Sequence, residues 1–175
     1  MKVILISAQS TDGFITRHDE PGSDFASAAD REYFGKTLAG FDSSIMGSAT
    51  YLVARSRILS LLSAGRRRIV LTRDPGKFSG DAAPGMLEFT GEEPGALVRR
   101  LAAEGHSRCA LLGGARVHSL FFGAGLVDEL WLTVEPRLFG AGVPFLRSAA
   151  DIHLKLLSHE RLGGSDTLLL KFGMR

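Results

Sequence analysis

Cys109-Ala110-Leu111-Leu112-Gly113-Gly114-Ala115-Arg116-Val117-His118-Ser119-Leu120-Phe121-Phe122 is the stretch whose reading decides the fold. Residues 108–112 form a mostly apolar run of strand length. Gly113 and Gly114 lack a Cβ, so backbone or a ligand can approach them closely. From Ala115 onward the apolar positions change to helical spacing, with Val117, Leu120 and Phe121 at i, i+3 and i+4. The pattern is strand, tight turn, helix. The first N–H groups of such a helix are free and carry partial positive charge, which suits a phosphate. The same pattern also serves a turn that needs glycine only for packing.

Working outward, three further strand ends carry turn or hydroxyl residues. Lys2 to Ala8 reads as a buried strand ending in Ser10-Thr11-Asp12-Gly13-Phe14-Ile15. Ser43 to Met46 leads into Gly47-Ser48-Ala49-Thr50-Tyr51, where a helix should start. Arg68 to Leu71 ends in Thr72-Arg73-Asp74-Pro75-Gly76. Ser27-x-x-Asp30 resembles a capping box and predicts a helix from about Ala28 to Leu38, burying Ala29, Tyr33 or Phe34, and Leu38. Met86 to Thr90 is a short strand, and Pro94 opens a helix whose apolar face holds Leu97, Val98 and Leu101. A longer strand spans 125–136, with pairing weakened at Pro136. A glycine-rich loop follows at 138–146. Ile152 to Leu162 and Thr167 to Phe172 read as a hairpin closed by a Gly163-Gly164 turn.

Strands alternating with helices and then a hairpin predict one α/β domain over residues 1–175: a mostly parallel sheet with an antiparallel C-terminal edge. Ligands in such sheets sit beyond the carboxyl ends of the strands. The 175 residues, 45% apolar and 23% charged, match a soluble globular chain. The single Cys109 excludes an internal disulfide framework and a multi-cysteine zinc site, which favours a reducing, cytoplasmic setting. No run of apolar residues is long enough for a membrane span. The five histidines lack metal-ligand spacing, so no metal is expected. His118 lies just inside the helix after the glycine pair. Arg55, Arg57, Arg66, Arg67, Arg68, Arg73 and Lys77 crowd the stretch from Tyr51 to Lys77. No aromatics interleave with them, which argues against nucleic acid and leaves a phosphate ligand or a solvated face.

Cys109 falls within a buried strand and reads as structural. Asp12 and Glu135 are the carboxylates at strand ends, placed to orient a polar heterocycle or to relay a proton. Ser48, Thr50, Thr72 and Arg73 can bind phosphate oxygens, and Arg73 suits an adenosine 2′-phosphate.

Four motifs in this order resemble the dihydrofolate reductase superfamily: Ser10-Thr11-Asp12-Gly13-Phe14-Ile15, Gly47-Ser48-Ala49-Thr50-Tyr51, Leu111-Leu112-Gly113-Gly114-Ala115, and Leu126-Val127-Asp128-Glu129-Leu130 with Pro136-x-x-x-Gly140-x-Gly142-x-Pro144-Phe145. Within it, the chain is similar to the C-terminal reductase domain of the bacterial riboflavin-biosynthesis deaminase-reductase, as a stand-alone member. The resemblance implies a three-layer α/β/α fold and a homodimer. It also implies an NADPH-dependent reductase acting on a pterin- or pyrimidine-like heterocycle. By similarity, NADPH is held by Ala8, Gly13, Ile15, Gly47, Ser48, Thr50, Thr72, Arg73, Gly113, Gly114, Ala115, Arg116 and Val117. Two positions depart from the pattern. Phe14 stands where the riboflavin-pathway reductases usually carry lysine, and Ser48 where they carry arginine. These departures favour the alternative, a non-catalytic nucleotide- or small-molecule-binding protein on the same scaffold.

Overall fold

The structure, a computed structural model, describes residues 1–63 and 65–174. Eight strands form one sheet: β1 (Lys2–Ser10), β2 (Ser43–Gly47), β3 (Arg67–Leu71), β4 (Leu87–Thr90), β5 (Arg108–Gly113), β6 (Glu129–Glu135), β7 (Leu154–Arg161) and β8 (Leu168–Met174). Their order is β4-β3-β2-β5-β1-β6-β8-β7. The pairs from β4 through β6 are parallel; β8 runs antiparallel to β6, and β7 to β8. The expected parallel sheet with an antiparallel C-terminal edge is therefore present.

Among the described residues, four α-helices cover the two faces: α1 (Ala28–Leu38), α2 (Ser48–Ser60), α3 (Pro94–Ala103) and α4 (Ala115–Gly123). Side chains alternate across a strand, so β1 feeds both layers. Val3 and Leu5 pack with Leu97 and Leu101 of α3 and with Val117 and Phe121 of α4. Ile4 and Ile6 face the other way, toward Phe34 and Leu38 of α1. On that second face Tyr51 and Ile58 of α2 meet Met46, Val70 and Leu87. The result is the expected three-layer α/β/α arrangement.

Some local expectations shift. The predicted strand over 125–136 is paired only over Glu129–Glu135. Asp128 instead turns its carboxylate to accept the Val3 N–H at 2.7 Å, pinning the entry to β6. The hairpin turn is longer than two residues. Leu162 N–H still bonds Thr167 O at 2.9 Å, leaving four residues between them, with Gly163 and Gly164 both at positive φ. A short 3-10 helix, Pro75–Asp81, forms where only a turn was expected, capped by Asp74. Helix α1 differs most. Its one buried residue is Asp30, while Ala29, Tyr33, Phe34 and Leu38 are only half-buried. The cause is a cleft between α1 and α2, which exposes part of the apolar face expected to be covered.

Part of the basic stretch is spent on internal bonds. Arg55 forks onto Asp81, and Arg67 bonds Glu88 and Glu104 on the opposite side of the sheet. Arg68 is buried and donates to the carbonyls of Leu61 and Arg66. Among the described residues, no helix is long and apolar enough to cross a membrane.

Candidate functional site

The first layer of the site is made of helix ends. Helix α1 is capped in the ordinary way: Ser27 Oγ accepts the Asp30 N–H at 3.1 Å. Helices α2 and α4 start instead on Gly47 and Gly114, which have no side chain to cap them. The N–H groups of Val117 and His118 bond back to Gly114 O, which leaves those of Ala115 and Arg116 as the free donors of the first turn.

The two bare ends lie together. A Cβ on Gly47 would stand 3.1 Å from Val117 Cγ2 and 3.8 Å from Gly113 O. One on Gly114 would stand 3.5 Å from Thr50 Oγ1 and 3.8 Å from Ile15 Cδ1. The approach is tight at Gly47, where a Cβ would press on Val117, while one on Gly114 would meet only ordinary contacts. Gly113 has φ +86, and the Gly113-Gly114 peptide is cis. A Cβ on Gly113 would fall 2.3 Å from His118 Nε2, so this glycine makes room for that ring.

These ends open on a cleft of about 1950 Å³ that runs across the carboxyl ends of the strands and down between α1 and α2. Eleven of the thirteen residues expected to hold cofactor line it: Ala8, Ile15, Gly47, Ser48, Thr50, Thr72, Arg73, Gly114, Ala115, Arg116 and Val117. Gly13 and Gly113 are not part of this lining. Gly13, at φ +88, supports the wall by accepting the Phe145 N–H at 3.1 Å.

The two expected catalytic carboxylates do not line the cleft; each is occupied by the fold. Asp12 accepts Ser10 Oγ at 2.5 Å and the N–H groups of Phe139 and Gly140 at 3.0 and 2.7 Å. The Ser10 hydroxyl, with these backbone donors, holds its pKa below the usual range. Its work is to fasten the loop over 138–146 to the end of β1. Glu135 is 2% exposed. Its Oε1 accepts the Ser27 N–H at 2.8 Å and its Oε2 the Thr167 hydroxyl at 2.9 Å. It completes the α1 cap that Asp30 was expected to complete.

That substitution frees Asp30, a residue the sequence reading passed over as a cap. Asp30 is 9% exposed and lines the cleft beside Ile6, Ser7 and Ala8. Burial raises its pKa; a hydrogen bond from Thr133 opposes this, and the nearby Glu135 carboxylate raises it further. The sequence signal for it was slight: an acid at N3 of a helix whose reach-back partner turns out to be distant.

Cys109 is fully buried, and burial pushes its thiol up to about 12, which leaves it inert. No group of three or more His, Cys, Asp or Glu side chains among the described residues is placed to hold a metal ion. Trp131, Phe121 and Phe122 are all engaged within the chain. Trp131 lies against Phe41 and Lys171, Phe121 is buried, and Phe122 meets Phe145.

The family model of the RibD C-terminal domain matches residues 1–168. A protein of Bacillus subtilis (strain 168), the uncharacterized protein YwjB, is 26% identical over 170 residues, covering 93% of this chain and 92% of its own. Among solved structures, the chain is similar to the Thermotoga maritima diaminohydroxyphosphoribosylaminopyrimidine deaminase/5-amino-6-(5-phosphoribosylamino)uracil reductase. The TM-score is 0.78 at 17% identity, covering 99% of this chain and 56% of that one. It is also similar to Enterococcus faecalis dihydrofolate reductase complexed with NADP(H), with a TM-score of 0.73 at 16% identity over 99% of this chain and 96% of that one.

Proposed function

The chain belongs to the family of the RibD C-terminal domain, and from that premise we propose that it is an NADPH-dependent reductase of a pterin- or pyrimidine-like heterocycle. The observation that carries this reading is the meeting, in one cleft, of two uncapped helix N-termini with a buried carboxyl of raised pKa. The donor set fits a dinucleotide diphosphate. The free N–H groups of Ala115 and Arg116 and those at the start of α2 offer donors with positive partial charge, and Ser48 and Thr50 add hydroxyls. Farther along, Thr72, Arg73 and Lys77 line the same cleft and suit a 2′-phosphate. Bound NADPH would supply hydride; the chain's own residues hold it, exclude water and manage one proton.

Asp30 is the residue for that proton. Reducing a C=N bond needs a hydride at carbon and a proton at nitrogen. A buried carboxyl whose pKa is raised holds its proton to higher pH than an exposed one, and when protonated can donate a hydrogen bond to a ring nitrogen and pass the proton on. Ile6, Phe34 and Leu38 give the apolar wall against which a flat ring packs. Asp12 and Glu135 frame the site: the first fixes the loop over 138–146, and the second fixes α1 and raises the pKa of Asp30.

The test is thermal stability with NADPH and NADH, followed by NADPH oxidation across a panel of pterins, dihydropterins and aminouracils. NADPH at ~100 times its dissociation constant should add about 2.7 kcal/mol. No stabilisation at millimolar cofactor overturns the reading. Stabilisation without oxidation by any member of the panel marks the chain as a binding protein on this scaffold, as Phe14 and Ser48 favour. The same reading carries a cytoplasmic homodimer; edge strand β7, with Leu156 and Leu157 about half exposed, is the face to check by mass measurement in solution.

A further inference from the structure

His118 is 1% exposed and sits in the first turns of α4, where the family reading gives it no task. Its Nδ1 lies 2.9 Å from Phe145 O. A carbonyl only accepts, so Nδ1 carries the proton and Nε2 is the bare lone pair of a neutral ring. That Nε2 has no hydrogen-bond partner and faces Gly113, where a Cβ would be only 2.3 Å away. The ring also packs on Phe145, with centroids 4.7 Å apart. His118 therefore fills the space between the glycine turn and the loop over 138–146. Next to it, Ser119 Oγ accepts the N–H groups of Arg147 and Ser148 at 2.8 and 3.3 Å, so α4 holds Phe145 and the residues that follow it.

The same loop closes on the end of β1. Ile15 N–H bonds Val143 O at 2.8 Å, Phe145 N–H bonds Gly13 O at 3.1 Å, and Phe14 pairs with Pro144. A continuous set of contacts thus runs from Gly113 through His118 and Phe145 to Gly13 and Ile15.

We propose that His118 is a positioning residue that couples the Gly113-Gly114 turn to the loop over 138–146. Binding at the turn then tightens the wall beside Gly13 and Ile15. The coupling to ligand rests on the NADPH reading; the mechanical link does not. It is carried by a buried ring whose two edges abut the two segments, with the loop bonded onward to β1.

Backbone hydrogen exchange separates the two. Without ligand, His118→Leu should raise exchange across 139–147 about fivefold, the loss of one hydrogen bond, and leave β1 and β5 unchanged. His118→Gln, which can still donate to Phe145 O, should recover most of the protection. Gly113→Ala should loosen 139–147 as His118→Leu does, although it alters no residue of the loop, because its Cβ displaces the ring. With NADPH, the wild type should gain protection at both 113–118 and 139–147, and His118→Leu only at 113–118. Unchanged exchange of 139–147 in both His118→Leu and Gly113→Ala overturns the link. If NADPH protects nothing in the wild type, the cofactor reading falls, and the ligand-free comparison still decides the role of His118.

Discussion

Replacing Glu135 by alanine distinguishes an architectural carboxylate from a catalytic one. The side chain is 2% exposed and accepts two hydrogen bonds, from Ser27 N at 2.8 Å and Thr167 Oγ1 at 2.9 Å. A hydrogen bond to a charged group contributes ~1.5–3 kcal/mol, so two give a gross loss of about 3–6 kcal/mol. Two effects offset part of it. Thr167 can turn its hydroxyl toward Ser27 Oγ, 2.9 Å away, and a negative charge disappears from beside Asp30. We expect a net destabilisation of about 2–3 kcal/mol, which at a urea m-value of ~2 kcal/mol/M moves the midpoint by ~1–1.5 M. Glu135→Gln keeps one acceptor and should cost about 1 kcal/mol. Both are read from equilibrium urea unfolding at pH 7 by tryptophan fluorescence and circular dichroism. A Glu135→Ala midpoint within ~0.2 M of wild type refutes the reasoning. So does a Glu135→Gln protein of unchanged stability that has lost all turnover.

Three other outcomes follow from the same geometry. Asp30 has its pKa raised in the folded chain, so the folded state holds its proton longer and stability is lost as pH rises through the folded value. Asp30→Asn should therefore unfold at higher urea than wild type at pH 7, match it at pH 3, and lose NADPH oxidation; reduced stability at pH 7 contradicts this. Burial lowers His118 from 6.5 to about 4, so the unfolded chain takes up the proton first and stability falls between those values. The loss is ~3 kcal/mol, and His118→Gln should flatten that limb in urea midpoints measured at pH 7, 5.5 and 4.5. Arg73 is exposed at the cleft margin, and Arg73→Ala should weaken NADPH about tenfold while leaving NADH unchanged, as read by calorimetric titration. Equal weakening of both cofactors removes Arg73 from the 2′-phosphate.

What the sequence made legible was local. The strand-turn-helix over 108–122 is written in neighbouring residues, and so are the glycines that open α2 and α4. The antiparallel edge follows from a hairpin with its own turn. The internal engagement of Asp12 and Glu135 depends on non-local structure. Ser27-x-x-Asp30 looks like a self-contained cap, yet the acceptor for Ser27 N–H arrives from Glu135, on β6. Only that distant bond shows that Asp30 is spare and that Glu135 is engaged. Likewise, the half-buried apolar side of α1 cannot be told from a fully buried one by periodicity. It depends on where α2 lies, and the gap between them is the cleft.

The bare ends of α2 and α4 have a consequence for the lifetime of the protein in the cell. A chain that leaves two helices unfinished until a ligand arrives opens more often when the ligand is scarce. Proteases sample those openings, so turnover of this protein should slow as its ligand becomes plentiful. Its abundance would then report the supply of that ligand with no dedicated sensor, through the folding equilibrium alone.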